Sequence, residues 1–501
     1  MLEPIHLTQQ EKRCFFGDIT HAPNSIGAAV AAAVQQGREV AVLGFGISNR
    51  PLTAVLCALG ARVCVYDTKT PAVLGEDATA AERMGVRFVQ EDEAWLNASP
   101  AVIFRSPGIR PDRPAIVQAV ANGARLAGEM EWLLEQTPAT VIGITGSDGK
   151  STTTTVTALM LREEGKGTVY LGGNLGTPLL SKLPCMTADD FVVVELSSFQ
   201  LSTPCRSPQR AAITNVTPNH LDWHTGMEEY TRAKTNIYRH SACARFVTNA
   251  DNDTTAALAA QKSAEGGARV VLFSSQKQSH ASASLGLPEA ETILCKQGCI
   301  TYHSADGTET PVLAAEDILL PGRHNLENYM TAIALVWGLV SKDTIARVAR
   351  TFGGVPHRLE LVRIRNGVKY YNSSIDSSPT RTAAALSALP PRSAVIICGG
   401  YDKHIPFAPL AQALCDRAAA VVLTGATADA IHAALLACPD FSPERLPVTT
   451  ERDFASAVHR AASIATPGQN VLLSPACASF DAFVNFEARG ERFRSLVTEL
   501  P

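Results

Sequence analysis

The sequence predicts an α/β protein of three domains: a Rossmann-like N-terminal domain, a central P-loop ATPase domain with a parallel sheet, and a Rossmann-like C-terminal domain. Three segments support this fold, because each contains an apolar strand, a glycine turn and a helix in succession: 38–61, 139–165 and 393–414. The length of 501 residues suits about three domains. Each of these three strand–turn–helix segments is the opening of a domain. Stretches that are polar, contain proline or are rich in glycine separate the openings, so we expect domains at 1–138, 139–355 and 356–501.

Composition excludes several classes of protein. An apolar content of 46% and a charged content of 18% are typical of a globular chain with large cores. The formal net charge is −4 without a basic stripe, so we expect neither nucleic acid nor a membrane as a partner. The twelve cysteines form no C-x-x-C pair, and the first residues lack an apolar signal segment. We therefore expect a cytoplasmic protein with reduced thiols.

The first opening reads as a β-α-β unit that begins with "REVAVLGFG". Asp67 follows the glycine turn by about 20 residues, as in dinucleotide-binding folds. A dinucleotide fingerprint would place a third glycine where Asn49 stands, so an NAD-dependent dehydrogenase stays a weaker alternative. The helix N-terminus still offers free N–H groups to an anion, and the later loop 104–112 can border the same crevice.

The second opening, "GITGSDGKSTTT" at 143–154, has the strand, glycine turn and helix that a phosphate loop requires. It lacks the early glycine of the usual pattern, because Ile144 occupies that position. Lys150 can place a positive charge between phosphates, and Ser151 can offer a hydroxyl to Mg²⁺. These features predict nucleotide phosphate binding.

A partner for the metal is expected at the end of the strand in "DFVVVELSSFQL", where Glu195 follows three valines. The segment "AAITNVT" (211–217) reads as a further strand, and His220 and Asp222 lie in the loop beyond it. Lys234 lies on the helix after that loop. Spacing alone leaves structural and functional roles equally open for His220 and Lys234.

The third opening is followed by the strand 471–473 and by a helix that we expect to begin near Ser479. Lys403 and Ser479 could both face an acidic substrate. The alternative is a solvated surface lysine and a serine that only caps the helix.

With these motifs in order, the sequence resembles the Mur ligases, ATP-dependent amide-bond-forming enzymes of bacterial cell-wall precursor synthesis. The family's phosphate loop, T-G-x-x-G-K-[ST]-T, matches Thr145–Thr152 throughout. The segments "ELSSFQL", "TNVTPNHLDWH", "RAK", "LPGRHNLEN", "PHR" and "SPACASFDAFVNFEARG" then follow in the family's order. Together with "GFGISNRPL", "DTK" and "SPGI", they are most similar to members that add D-glutamate to UDP-N-acetylmuramoyl-L-alanine.

The resemblance implies roles for particular residues. The implied ATP contacts are Gly146, Ser147, Asp148, Gly149, Lys150, Ser151, Thr152, Asn325, Asn328 and Arg358. The implied UDP-substrate contacts are Ile47, Ser48, Thr68, Lys69, Ser106, Gly108 and Asn174. The implied D-glutamate contacts are Lys403, Ser479 and Phe486. The implied catalytic residues are Lys150, Glu195, His220 and Lys234.

The resemblance also implies two Mg²⁺ ions and a carbamylated Lys234. Their protein ligands would be Ser151, Glu195, His220 and the carbamate on Lys234. The partners would be the two small-molecule substrates, and we expect a monomer. Burial and neighbouring cations would lower the pKa of the lysine and favour its reaction with CO₂.

One segment departs from the family's pattern. Where many members read N-D-S-K-A-T, this chain has "NSSIDS", so that Ser373 replaces the acid and Ile375 replaces the lysine. Asp376 could compensate from a different position. The alternatives are a related ligase with another acceptor, including a folate polyglutamyl ligase, and a non-catalytic nucleotide-binding subunit. Segment 1–37 is expected to contain an alanine-rich helix at about 25–36 and has no assigned role.

Overall fold

The computed structural model describes residues 2–18, 20, 22–90, 99–203, 206–221, 223–240, 242–276, 286–287, 290–320, 322–402 and 405–501. These residues form three sheets, of five, nine and six strands, which confirms the predicted α/β class. The chain groups into two compact units, Met1–Ile318 with Arg323–Arg350, and Leu319–Gly322 with Thr351–Pro501. The domain limits predicted at 138/139 and 355/356 stay predictions.

The N-terminal sheet is parallel throughout. Its strands are β1 Glu39–Leu43, β2 Arg62–Asp67, β3 Arg87–Gln90, β4 Val102–Arg105 and β5 Arg125–Ala127. Its helices are α1 Gln9–Phe16, α2 Ile26–Gln36, α3 Asn49–Leu59, α4 Pro71–Leu74, α5 Glu76–Arg83, α6 Pro114–Ala121 and α7 Glu129–Gln136. The strand order β3-β2-β1-β4-β5 reverses direction between β1 and β4, so a ligand crevice is expected at their carboxyl ends.

The central sheet has a parallel part and an antiparallel edge. Its strands are β6 Thr140–Thr145, β7 Val169–Gly173, β8 Phe191–Glu195, β9 Arg210–Ile213, β10 Arg245–Asn249, β11 Arg269–Ser274, β12 Glu291–Lys296, β13 Cys299–His303 and β14 Glu309–Ala314. Its helices are α8 Lys150–Glu164, α9 Met227–Arg239, α10 Asp253–Glu265, α11 Arg323–Val336 and α12 Lys342–Thr351. In the order β14-β13-β12-β11-β10-β9-β6-β8-β7, β6 lies between β8 and β9. The turn after β6 therefore borders the ends of both neighbouring strands.

The C-terminal sheet is parallel except at β15. Its strands are β15 Glu360–Arg365, β16 Val368–Asn372, β17 Ala394–Cys398, β18 Ala418–Leu423, β19 Val448–Thr450 and β20 Asn470–Leu473, in the order β15-β16-β20-β17-β18-β19. Its helices are α13 Pro379–Ser387, α14 Ala408–Arg417, α15 Ala428–Leu436, α16 Phe454–Ile464 and α17 Phe486–Glu499.

Two expected element limits were wrong. The strand expected at 211–217 ends at Ile213, because the residues beyond it bond to the phosphate loop instead of a neighbouring strand. The helix expected near Ser479 begins at Phe486, where the side chain of Asn485 accepts a hydrogen bond from the N–H of Ala488. The N-cap is therefore Asn485, and the alternative in which Ser479 caps the helix is wrong.

The N-terminal segment is folded onto α7. The expected alanine-rich helix is confirmed as α2, and α1 precedes it. The indole of Trp132 donates a 2.9 Å hydrogen bond to the carbonyl of Phe15, whose ring packs edge-on against it. Buried side chains of this segment belong to a hydrophobic core that continues into the central sheet. Segment 1–37 therefore contributes to the stability of the first unit.

The side chain of Glu135 gives a way to test this contribution. Its carboxylate accepts hydrogen bonds from the N–H groups of Ile26 and Gly27, at the start of α2. We expect Glu135→Ala to lower the free energy of unfolding of the first unit by about 1 kcal/mol, because two helical N–H groups lose their acceptor. Glu135→Gln keeps an acceptor and should cost less. Equal urea stabilities for wild type and the alanine variant would contradict this role.

Two further observations concern membrane-spanning helices and the state of the cysteines. Among the described residues, no helix is both long enough and apolar enough to cross a membrane. Every cysteine in the described part of the chain is a free thiol.

Candidate active site

Two glycines shape the turn between β6 and α8. Gly146 has φ +148°, and a Cβ there would lie 1.9 Å from Oγ1 of Thr214. Gly149 has φ +77°, and a Cβ there would lie 2.3 Å from Oδ1 of Asn328. Both positions exclude a side chain. The turn is thus built on these glycines, and the missing glycine at Ile144 falls inside the buried strand β6.

The residues after β9 hold this turn from the side. Oγ1 of Thr214 donates to the carbonyl of Asp148 at 2.6 Å, and Oδ1 of Asn215 accepts from the N–H of Asp148 at 2.9 Å. Oγ of Ser147 donates to the carbonyl of Thr217 at 2.9 Å. These bonds pre-form the turn, so its backbone needs little rearrangement to receive an anion.

Glu195 ends β8 beside the start of α8. Its strand pairs with β6 so that Glu195 is opposite Ile144. Oγ of Ser151 donates to Oε2 of Glu195 at 2.6 Å, and Nδ2 of Asn174 donates to Oε1 at 2.8 Å. The structure thus confirms the predicted strand end and brings the serine and carboxylate together. It also places Asn174, which the resemblance assigns to the UDP-substrate, beside the phosphate loop.

Two lysines converge on the same turn. Nζ of Lys150 donates to the carbonyl of Ser147 at 2.8 Å, and Nζ of Lys234 donates to the carbonyl of Gly146 at 2.7 Å. Lys234 is almost fully buried, with its ammonium nitrogen 4.4 Å from the centre of the Tyr230 ring. Burial, and then the charge of Lys150, hold the pKa of Lys234 well below its usual value. Its neutral amine is therefore accessible at lower pH than that of an ordinary lysine.

His220 lies on an exposed turn, with φ +55°, and its ring packs edge-on against Phe199 at 5.0 Å. Asp222 lies outside the described residues. Within the ranges that the structure describes, no group of three or more His, Cys, Asp and Glu side chains is arranged to hold a metal ion. Mg²⁺ commonly binds one or two protein carboxylates together with phosphates of the substrate, and the hydroxyl and carboxylate of Ser151 and Glu195 suit that mode.

Asn325 and Asn328 lie on the first turns of α11, packed against α8. Oδ1 of Asn328 accepts from Oγ1 of Thr153 at 3.2 Å, and its Nδ2 donates to Oδ1 of Asn325 at 3.3 Å. Both asparagines are buried next to the phosphate loop. Arg358 belongs to the second unit, where its N–H donates to the carbonyl of Val355.

In the N-terminal domain, the side chain of Asn49 occupies the turn that follows β1. Its Nδ2 donates to the carbonyl of Gly44 at 2.8 Å and to Oγ of Ser106 at 3.1 Å, so the asparagine side chain fills the turn where a dinucleotide fold would have glycine. Asp67 accepts from the N–H of Phe45 at 2.7 Å. The other predicted contacts lie at the carboxyl edge of this sheet and are at least partly exposed: Ile47, Ser48, Thr68, Lys69 and Gly108.

In the second unit, Ser479 is buried in the loop before α17, and Phe486 is the first residue of that helix. Lys403 lies outside the described residues. The guanidinium of Arg489 donates to the carbonyls of Ser374, Cys477 and Ala478 at 2.9–3.1 Å, which fixes the backbone that leads to Ser479. Sequence reasoning missed this buried arginine.

The departing segment 372–377 turns its polar side chains into the C-terminal domain. Oγ of Ser373 accepts from the N–H of Leu359 at 3.0 Å. Oδ2 of Asp376 accepts from Oγ of Ser474 at 2.8 Å, and burial raises the pKa of this carboxyl. Asp376 is thus bonded within its own domain.

The central sheet combines a phosphate loop with a neighbouring strand that ends in a glutamate, and the chain has two further α/β sheets. This combination is typical of a nucleotide-dependent enzyme of the P-loop class. Models of Mur ligase domains match the same three regions: the MurD-like N-terminal domain at 38–128, the middle domain at 144–336 and the glutamate ligase domain at 357–477. The chain therefore belongs to the Mur ligase family, whose members are ATP-dependent.

Relatives match over nearly the whole chain. The UDP-N-acetylmuramoylalanine–D-glutamate ligase of Clostridium novyi is 43% identical over 468 residues, covering 93% of this chain and 97% of the relative. The ligase of that name from Acetivibrio thermocellus is 42% identical over 470 residues, with the same coverage of each. The crystal structure of MurF from Acinetobacter baumannii has a TM-score of 0.52 at 15% identity and covers 94% of this chain and 98% of its own, which supports the fold alone.

Proposed function

We propose that the protein is an ATP-dependent ligase that adds D-glutamate to UDP-N-acetylmuramoyl-L-alanine during synthesis of the peptidoglycan precursor. The observation that carries this proposal is the 43% identity over 93% of the chain with a ligase of that name. The match includes the glutamate ligase domain at 357–477, where the amino acid would bind.

The reaction proceeds in two displacements. The carboxylate of UDP-N-acetylmuramoyl-L-alanine attacks the γ-phosphorus of ATP, the bond to the β-phosphate oxygen breaks, and ADP leaves. The neutral amine of D-glutamate then attacks the acyl carbon and loses a proton, and the tetrahedral intermediate expels inorganic phosphate. Most of the protein's work is to align two anions and neutralise their charge, because alignment alone can supply roughly 7–11 kcal/mol of the barrier reduction.

The phosphate loop performs the first part of that work. Its backbone N–H groups and Lys150 hold the β- and γ-phosphates, and Asn325 and Asn328 lie where α11 borders the nucleotide. Ser151 and Glu195 would hold one Mg²⁺, which would supply positive charge to offset that of the phosphates. Asn174 keeps the carboxylate of Glu195 oriented through its 2.8 Å hydrogen bond.

Lys234 serves as a carbamate in this proposal. Its neutral amine attacks CO₂, an N–C bond forms and a proton is released, so that a cation becomes an anion. That anion and His220 would hold a second Mg²⁺. The support is the burial of the amine and its lowered pKa, which leave more of it in the reactive neutral form.

Carbamylation predicts a dependence on CO₂. We expect turnover to fall in buffers purged of CO₂ and to recover when bicarbonate is added, because the carbamate forms reversibly. Since the neutral fraction of an amine rises with pH through its pKa and carbamate formation releases a proton, a lower concentration of dissolved CO₂ should be needed as the pH is raised. Turnover of Lys234→Arg should be low and unaffected by bicarbonate. Wild-type turnover that is independent of CO₂ would contradict the modification.

The remaining ligand contacts are proposed from position. Ile47, Ser48, Thr68 and Lys69 bind the uridine diphosphate at the carboxyl edge of the N-terminal sheet, with Ser106 and Gly108 on the neighbouring loop. Ser479 and Phe486 bind D-glutamate in the second unit. Arg358 and Lys403 stay predicted contacts to phosphate and to the amino acid.

The acceptor test decides the proposed function. ADP release is measured with UDP-N-acetylmuramoyl-L-alanine, with and without D-glutamate, and then with L-alanine, L-lysine or diaminopimelate in its place. We expect sustained release only with D-glutamate. Release that needs no acceptor, or that is faster with another amino acid, would overturn the assignment.

A further inference from the structure

Four side chains form a continuous series of ring contacts between the N-terminal domain and the phosphate loop. We call Phe199, Trp223, His224 and Tyr230 the aromatic cluster. Ring centres lie 4.6 Å apart from Phe199 to Trp223, 4.6 Å from Trp223 to His224, and 5.3 Å from His224 to Tyr230. No step of the proposed reaction uses these residues.

One end of the cluster is fixed to the loop after β4. The indole N–H of Trp223 donates to the carbonyl of Gly108 at 2.8 Å. The guanidinium of Arg110 lies 4.9 Å from the centre of the Trp223 ring, donates to the backbone carbonyl of Trp223 and pairs with Glu229 at 3.1 Å. Ser106 lies on the same loop. A ligand that contacts Ser106 would therefore lie close to Gly108, whose carbonyl accepts the hydrogen bond from Trp223.

The other end of the cluster is fixed to the phosphate loop. The hydroxyl of Tyr230 lies 3.0 Å from Oγ of Ser147, within hydrogen-bonding distance. The ring of Tyr230 also faces the amine of Lys234 at 4.4 Å. Tyr230 and Lys234 are four residues apart on α9, so the helix keeps them on one face.

Hydrogen bonds hold the middle of the cluster. The N–H groups of Trp223 and His224 both donate to the carbonyl of His220, which closes a single turn. His224 is buried, and its Nε2 lies 2.9 Å from Oγ of Ser198. Side chains in contact in this way are coupled, because a shift of one changes the space that its neighbours can occupy.

We propose that Trp223 and Tyr230 are positioning residues that link occupation of the loop 106–110 to the geometry of the phosphate loop and Lys234. The inference rests on the proposed function, since it takes the UDP-substrate as the ligand of that loop. Binding of UDP-N-acetylmuramoyl-L-alanine then tightens binding of the nucleotide, and by linkage the nucleotide tightens binding of the substrate.

The test measures this coupling without turnover. The Kd of a non-hydrolysable ATP analogue with Mg²⁺ is determined by calorimetry with and without saturating UDP-N-acetylmuramoyl-L-alanine, in the absence of D-glutamate. We expect the substrate to lower that Kd by about fivefold or more in the wild type. In Trp223→Phe, which loses the bond to Gly108, and in Tyr230→Phe, which loses the bond to Ser147, the ratio should fall to within about twofold of one.

Two matched variants control for the exchanges themselves. Trp337→Phe alters a tryptophan stacked on Tyr302, and Tyr238→Phe alters a buried tyrosine further along α9. Both should keep the wild-type ratio. An unchanged ratio in Trp223→Phe and Tyr230→Phe, or a ratio of one in the wild type, would overturn the inference. If the wild type still consumes ATP only with D-glutamate, the proposed function survives that result.

Discussion

Lys150→Ala is expected to lower kcat/KM by about 10³-fold or more, because the γ-phosphate would lose the positive charge that the proposed function assigns to Lys150. The fold should persist. Nζ of Lys150 donates to the loop carbonyl of Ser147, while the turn is held independently by bonds from Thr214 and Asn215. The measurement is ADP release under saturating substrates, together with the thermal unfolding midpoint.

Lys166→Ala is the matched control, since that lysine lies beyond the end of α8 and pairs with Glu164. It should retain wild-type turnover. If Lys150→Ala kept a rate within tenfold of the wild type with its fold intact, the loop would not be the site of phosphoryl transfer.

Glu195→Gln is expected to reduce turnover by about 10³-fold and to abolish the steep dependence on Mg²⁺ concentration. The glutamine can keep both hydrogen bonds, because its oxygen can accept from Asn174 while its amide donates to the hydroxyl of Ser151. The substitution therefore removes one negative charge and little else. Kinetics across a range of Mg²⁺ concentrations separate this loss from a defect in folding.

Glu163→Gln provides the comparison, because that glutamate is half-exposed on α8 and pairs only distantly with Arg347, at 3.5 Å. Its Mg²⁺ dependence should match that of the wild type. A wild-type Mg²⁺ response in Glu195→Gln would remove Glu195 from the metal site.

The sequence predicted the parts of the site that depend on local pattern. An apolar run that ends in a glycine turn specifies a strand and the start of a helix, so Lys150 and Ser151 were located from their neighbours alone. Glu195 was located because it ends a buried run, and parallel strands end at one edge of a sheet. The spacing of His220 and Lys234 from these residues gave no comparable information.

The contacts between distant segments could not be predicted from the sequence. Nothing local indicates that Thr214 and Asn215 bond to the turn after β6, since this depends on β9 lying next to β6 in the sheet. The start of α17 was misplaced for a related reason. Both Ser479 and Asn485 can cap a helix, and only the fold of the intervening loop selects the second.

The core that joins the N-terminal sheet to the central sheet has an evolutionary consequence. Side chains from α1 and β1 through to β12 belong to one apolar cluster. Such an N-terminal domain is difficult to exchange for that of a relative. The replacement would bring different apolar side chains into contact with the part of the cluster that the central sheet contributes. Under the proposed function, a change in sugar-nucleotide specificity is therefore more accessible to single substitutions in the exposed loops than to recombination of whole domains.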